Sequence, residues 1–137
     1  MRARHVSYLG ARDRWDTGHV ITVSVPELAS RRLLPQFLDA QRRETWEPVL
    51  YSPSLADSRA LVVGYGSIGE AIGVRLRASE VQVEGVARSA RIGPDGTTVH
   101  AVKDLPTLLP DFDIVVIVTP HSDHTDKLVN AGFLASM

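Results

Sequence analysis

The stretch "ALVVGYGSIGEAIGVRLRA", residues 60–78, decides the fold. It opens on a short aliphatic run, Ala60 to Val63, of the kind that forms a buried strand. The glycine-rich turn "GYGSIG" (64–69) follows. From Ser67 to Ala78 the apolar residues recur at helical spacing, with Ile68, Ala71, Ile72 and Leu76 on one face. A second strand, "VQVEGVA" (81–87), comes next. A GxGxxG pattern alone is weak; a strand before it, a helix after it and a further strand give it meaning. Gly64 permits the tight turn, Gly66 lets a pyrophosphate approach the backbone, and Gly69 lets the helix pack closely on the sheet. The N–H groups at the helix start, near Ser67 and Ile68, would face the anion with the helix dipole behind them. The loop residues Gly64, Tyr65, Gly66, Ser67, Ile68 and Gly69 are therefore candidates for binding a dinucleotide. The alternative is a glycine-rich turn without a ligand.

The end of the second strand bears on which dinucleotide. A carboxylate about 20 residues after the loop accepts hydrogen bonds from the ribose 2′-OH in NAD sites. Here Ala87, Arg88 and Ser89 occupy that neighbourhood, and Glu84 lies inside the strand. An Arg followed by a Ser suits a 2′-phosphate, offering charge and a hydroxyl donor. This favours NADP(H) over NAD(H), with Arg88 and Ser89 as the contacts. Arg88 and Arg91 as solvated loop charges is the plainer reading.

Further along, "RSARIGPDGTT" reads as a loop with a Pro-Asp-Gly turn. "VHAV" (99–102) reads as a short strand and "KDLPTLLP" as a short helical piece. "DIVVIV" (113–118) is apolar on both faces, as expected within a parallel sheet covered by helices. "DHTDKLVNAGFLASM" (123–137) is predicted helical, with a restart at Asn130. Strand, helix, strand and further strands in this order predict an α/β open sheet with right-handed crossovers.

Upstream the pattern loosens. "VITVSV" (20–25) favours a strand locally, and "SVPE" has capping-box spacing. A helix follows with Leu28, Leu33, Leu34, Phe37 and Leu38 as its stripe, which Pro35 should break or kink. Residues 42–58, with Pro48 and Pro53, read as an irregular connection. The chain has 137 residues, 44% hydrophobic and 23% charged, with formal net charge -1. That profile fits one ordinary globular domain and offers no basic surplus for nucleic acid. Cysteine is absent, which excludes disulfides and thiolate metal sites. The longest apolar run, Ile114 to Val118, is too short to span a bilayer, and "MRARHVSYLG" lacks an apolar signal core. A cytoplasmic protein is the expectation.

Taken together, "LVVGYGSIGEAIGVRLRASEVQVEGVARS" and "DFDIVVIVTPHSDHTDKLVNAGFLASM" resemble the D-isomer-specific 2-hydroxyacid dehydrogenases. "ARDRWDTGH" and "ELASRRLLPQFLDAQRRETW" extend the resemblance weakly upstream, to an interdomain segment and the helix after it. The resemblance implies a partial Rossmann-type open parallel sheet preceded by a linker helix. Residues 1–58 would be the N-terminal segment and linker helix, and 59–137 the first half of the NAD(P)-binding domain. It implies an oxidoreductase that passes hydride between a nicotinamide and a 2-hydroxy or 2-oxo acid. In that family an Arg holds the substrate carboxylate and a His paired with an acidic residue handles the proton. Those residues would follow "FLASM", so no catalytic residue is carried over, and the chain is expected to be inactive alone. The resemblance also implies dimers through the cofactor domain and linker helix. The alternatives are a non-catalytic subunit of a full-length dehydrogenase, or a truncated product without independent function. Two departures stand out: "VITVSVP" where a continuous helix is expected, and Gly132 where a helix former is usual, at about 1 kcal/mol. A sheet ending at "DIVVIV" should leave that strand as an under-covered edge, to be hidden in an oligomer.

The histidines of "VTPHSDHT" (118–125) invite a catalytic reading, because the family's catalytic His also follows Thr-Pro. The spacing places them elsewhere. They lie about fifty residues after the glycine loop, where the family contacts the adenosine side of the cofactor. Thr119, Pro120 and Thr125 are then the cofactor-facing residues, beyond the carboxyl end of a strand. His121 and His124 become loop residues. A metal site from His121, Asp123 and His124 is conceivable by ligand type, but one short turn does not converge three ligands.

Overall fold

The aliphatic runs pair as parallel strands, and the glycine-rich turn joins two of them through a helix. The computed structural model describes residues 5–8, 29, 32–48 and 54–137. Its elements are β1 (His5–Tyr8), α1 (Leu34–Arg42), β2 (Arg59–Val63), α2 (Ser67–Arg77), β3 (Gln82–Ala87), β4 (Arg91–Ile92), β5 (Thr98–Ala101), α3 (Leu105–Leu108), β6 (Ile114–Ile117) and α4 (Ala131–Ala135). Short 3-10 turns flank α3. The six strands form one sheet in the order β1-β6-β2-β3-β5-β4. Every pairing is parallel except the β4–β5 hairpin. None of the described helices is long and apolar enough to cross a membrane.

Two layers cover the sheet. Ala60, Val62, Ile114 and Val116 face α2, where Ile72 and Leu76 are buried against them. Leu61, Val63, Val115 and Ile117 face the opposite layer, which supplies Leu105, Leu109, Phe112 and Phe133. The alternation along β2 and β6 is the period-two geometry of a strand, and both faces are apolar because both are covered. Asp113 ties the starts of these strands: its carboxylate accepts from Arg59 N at 3.0 Å, and its own N–H donates to Arg59 O at 2.9 Å.

Several expectations change. The strand "DIVVIV" is not an under-covered edge. His5–Tyr8 pairs along it in parallel, from His5 opposite Ile114 to Tyr8 opposite Ile117. The sequence of this strand, HVSY, carries no readable pattern, since four residues leave little room for a periodicity. The "RSARIGPDGTT" loop contains β4, which pairs antiparallel with β5 around the Pro-Asp-Gly turn. The stretch 123–130 is a series of turns, and only Ala131–Ala135 is helical. The restart at Asn130 holds: its side-chain oxygen caps the helix by accepting from Phe133 N at 3.0 Å. Pro35 does not kink a helix; it sits in the first turn of α1, where its missing N–H costs nothing. The break precedes it, at Leu33, which has a left-handed φ of 56°. Leu34, Phe37 and Leu38 of the anticipated stripe are 43 to 46% exposed. Leu28, the "VITVSV" strand and the "SVPE" capping box lie outside the described residues.

Candidate functional site

The parallel strands β2, β3 and β6 end side by side, and the segments that leave them form one surface. Gly64 and Tyr65 donate from their backbone N–H groups to Val86 O at 2.9 and 3.0 Å, which folds the loop over the end of β3. Gly64 has φ +102°, and a Cβ there would lie 2.7 Å from Val118 O. Only glycine can turn this corner against the end of β6. A Cβ on Gly69 would lie 2.6 Å from Gly64 O, so the first turn of α2 packs directly on the loop. Around Gly66 the situation reverses: a Cβ would meet nothing within 4 Å. The loop is closed beneath its first and third glycines and open above its second, as a pyrophosphate cradle requires.

The helix start has the electrostatics for an anion. The first helical hydrogen bond of α2 runs from Glu70 N to Gly66 O at 2.8 Å. The N–H groups of Ser67, Ile68 and Gly69 therefore stand ahead of the helical ladder, at the positive end of the dipole. Ser67 is exposed and Ile68 half-buried. NAD(P) fits this arrangement, since its diphosphate needs backbone donors and a gap in the side chains.

The other anticipated residues follow the ends of β3 and β6. Arg88 and Ser89 follow the last residue of β3 and are exposed. Glu84 is not available to a ribose: its carboxylate accepts from Arg59 Nη2 at 3.1 Å and meets His100 Nε2 at 2.5 Å. Thr119 is half-buried beside Gly64, and Pro120 is exposed. Thr125 closes the turn after β6 by donating its hydroxyl to Pro120 O at 2.6 Å and accepting from Ser122 N at 2.8 Å. Beyond the end of β6 a cavity of about 290 Å³ is lined by Thr119, His121, Thr125 and Lys127 with Ile117 and Val129; the glycine loop, Arg88 and Ser89 are not part of its lining. His121, Asp123 and His124 are exposed.

Two features escaped the sequence reading. Tyr65 reaches the site through its backbone only, because its side chain is buried in the core. Arg91 is more than a solvated loop charge: its Nη2 donates to Tyr65 O at 2.5 Å, bringing the β4–β5 hairpin against the glycine loop. A signal for the first was present. Glycine in the interior of a strand, as at Gly85, marks close approach by another group.

Known proteins share this fold. Residues 27–137 match the family model described as D-isomer specific 2-hydroxyacid dehydrogenase, NAD binding domain. Among solved structures, a D-isomer specific 2-hydroxyacid dehydrogenase from Xanthobacter autotrophicus Py2, in complex with NADPH and MES, is similar at 30% identity and TM-score 0.76; the match covers 86% of this chain and 48% of that one. An NADPH-dependent glyoxylate/hydroxypyruvate reductase from Sinorhizobium meliloti matches at 23% identity and TM-score 0.78, over 86% of this chain and 45% of that one. A phosphoglycerate dehydrogenase from Lactobacillus plantarum matches at 19% identity and TM-score 0.79, over 85% and 38%. The last two establish likeness of fold. The chain spans less than half the length of each of the three.

Proposed function

Given that the chain belongs to the D-isomer-specific 2-hydroxyacid dehydrogenase family, through its NAD-binding domain, we propose that residues 59–137 bind NADP(H) in preference to NAD(H) across the ends of β2, β3 and β6. The pyrophosphate lies over Gly66 and the N–H groups of Ser67, Ile68 and Gly69. Arg88 and Ser89 meet the 2′-phosphate, by charge and by hydroxyl donation. Thr119, Pro120 and Thr125 line the adenosine side. The observation that carries this reading is the open space over Gly66, between two glycines whose surroundings admit no side chain. The NADPH held by the Xanthobacter structure supports the choice of cofactor.

A bound nicotinamide gives or takes hydride. In the whole protein the partner of that exchange would be a 2-hydroxy or 2-oxo acid. The residues named here bind and orient the cofactor, and residues 1–137 alone are expected to give no turnover. Titration by intrinsic fluorescence with NADPH and with NADH tests the proposal. We expect both to bind, NADPH more tightly. A folded sample that binds neither would overturn it.

A further inference from the structure

The side chain of Tyr65 turns away from the surface on which a cofactor would lie and is 1% exposed. Space is reserved for it on two elements. A Cβ on Gly85 of β3 would lie 2.5 Å from Tyr65 Cγ, and a Cβ on Gly73 of α2 would lie 2.7 Å from the Tyr65 hydroxyl. The ring thus passes between helix and sheet, and the hydroxyl emerges beneath the β4–β5 hairpin. There it donates to Asp95 Oδ2 at 2.8 Å and lies 3.0 Å from Thr97 Oγ1. Arg77 of α2 completes the cluster, donating from Nη1 to Thr97 Oγ1 at 2.7 Å and pairing through Nη2 with Asp95. Asp95 Oδ1 accepts from Thr97 N at 3.1 Å. Burial opposes the charge on Asp95, but the bonds from Tyr65, Thr97 and Arg77 outweigh it and hold the carboxyl well below the usual range. A polar cluster whose members satisfy one another is rigid.

The same hairpin returns to Tyr65 from the other side, where Arg91 Nη2 donates to its carbonyl. One residue of the glycine loop is therefore held at both ends by one hairpin. That hairpin begins just after Arg88 and Ser89. Its first strand, β4, has only two residues, too few to hold a hairpin by its ladder alone.

We propose that Tyr65 is a positioning residue for cofactor selectivity. Through its hydroxyl and carbonyl it fixes the β4–β5 hairpin against the glycine loop, which sets Arg88 and Ser89 at a constant distance from the ribose and so separates a 2′-phosphate from a 2′-hydroxyl. The proposal rests on the NAD(P) reading above. It concerns geometry at the ribose end, since the cluster itself faces away from the cofactor.

Tyr65→Phe removes one hydroxyl. Asp95→Asn weakens the cluster from the hairpin tip and guards against the first variant failing to fold. Each is titrated with NADPH and NADH below its thermal midpoint, beside the wild type. We expect the selectivity for NADPH, read as the ratio of the two dissociation constants, to fall by about two- to tenfold, the worth of one hydrogen bond, through a larger loss of affinity for NADPH than for NADH. An unchanged ratio in a folded variant, an equal loss for both cofactors, or a wild type without selectivity overturns the proposal. A wild type that binds neither cofactor overturns the NAD(P) reading instead.

Discussion

Gly64 and Gly66 stand two residues apart and answer to different demands. At Gly64 the backbone is left-handed and a Cβ would press on Val118 O. Gly64→Ala should lower stability by about 2 kcal/mol or more, combining strain with backbone collision, read as a drop in the urea midpoint. At Gly66 a Cβ meets open space. Gly66→Ala should leave that midpoint within about 0.5 kcal/mol of wild type while weakening NADPH binding about tenfold or more, because the methyl occupies the approach of the diphosphate. Equal effects of the two substitutions on stability would contradict this division. The tight turn at Gly64 and the close packing at Gly69 were legible in the sequence, since GxGxxG between a strand and a helix carries its own steric logic. Gly85 signalled that some group approaches β3 closely, but not that it is Tyr65, because the space for the ring is shared with Gly73 on a separate element.

At the scale of elements, Glu84 joins three strands. It sits on β3, accepts from Arg59 on β2 and meets His100 on β5. Burial opposes its charge, but the bonds to His100 and Arg59 outweigh that and lower its pKa below the ordinary glutamate value. A carboxylate lowered in the folded state adds stability that is complete above its unfolded pKa, near 4.3 by the ordinary value for glutamate. That stability is lost as pH falls through the lower folded value. Urea midpoints measured from neutral pH down into the acid range should therefore fall more steeply for the wild type than for Glu84→Gln. Parallel curves would show that the cluster contributes nothing to the acid limb. Elements with strong apolar periodicity, such as β2, α2 and β6, could be read directly. The turns at 123–130 and the short strand β4 could not. Thr125 diverts the first into a side-chain-capped loop, and β4 exists only through its pairing with β5.

For the molecule as a whole, β1 changes what the sheet presents to its surroundings. By covering β6 it removes a row of unpaired backbone groups that would otherwise recruit another strand. Deleting residues 1–10 should lower the thermal midpoint and induce concentration-dependent association, visible by light scattering. A deletion variant that stays as stable and as monodisperse as the full chain would show that β1 is dispensable. Sequence reasoning located the vulnerable strand but not its cover, since no local signal ties His5–Tyr8 to a partner so distant.

That distance has a kinetic side. Strand β1 leaves the ribosome long before β6 exists, and in the sheet β6 is the strand it pairs with. Closing a loop of about a hundred residues carries a larger entropic cost than forming the β2–α2–β3 unit. The central unit can therefore assemble first, with β1 docking as a late step. Until then a nascent or refolding chain has β6 uncovered, and this interval is when chaperones or other copies of the chain would have access to it.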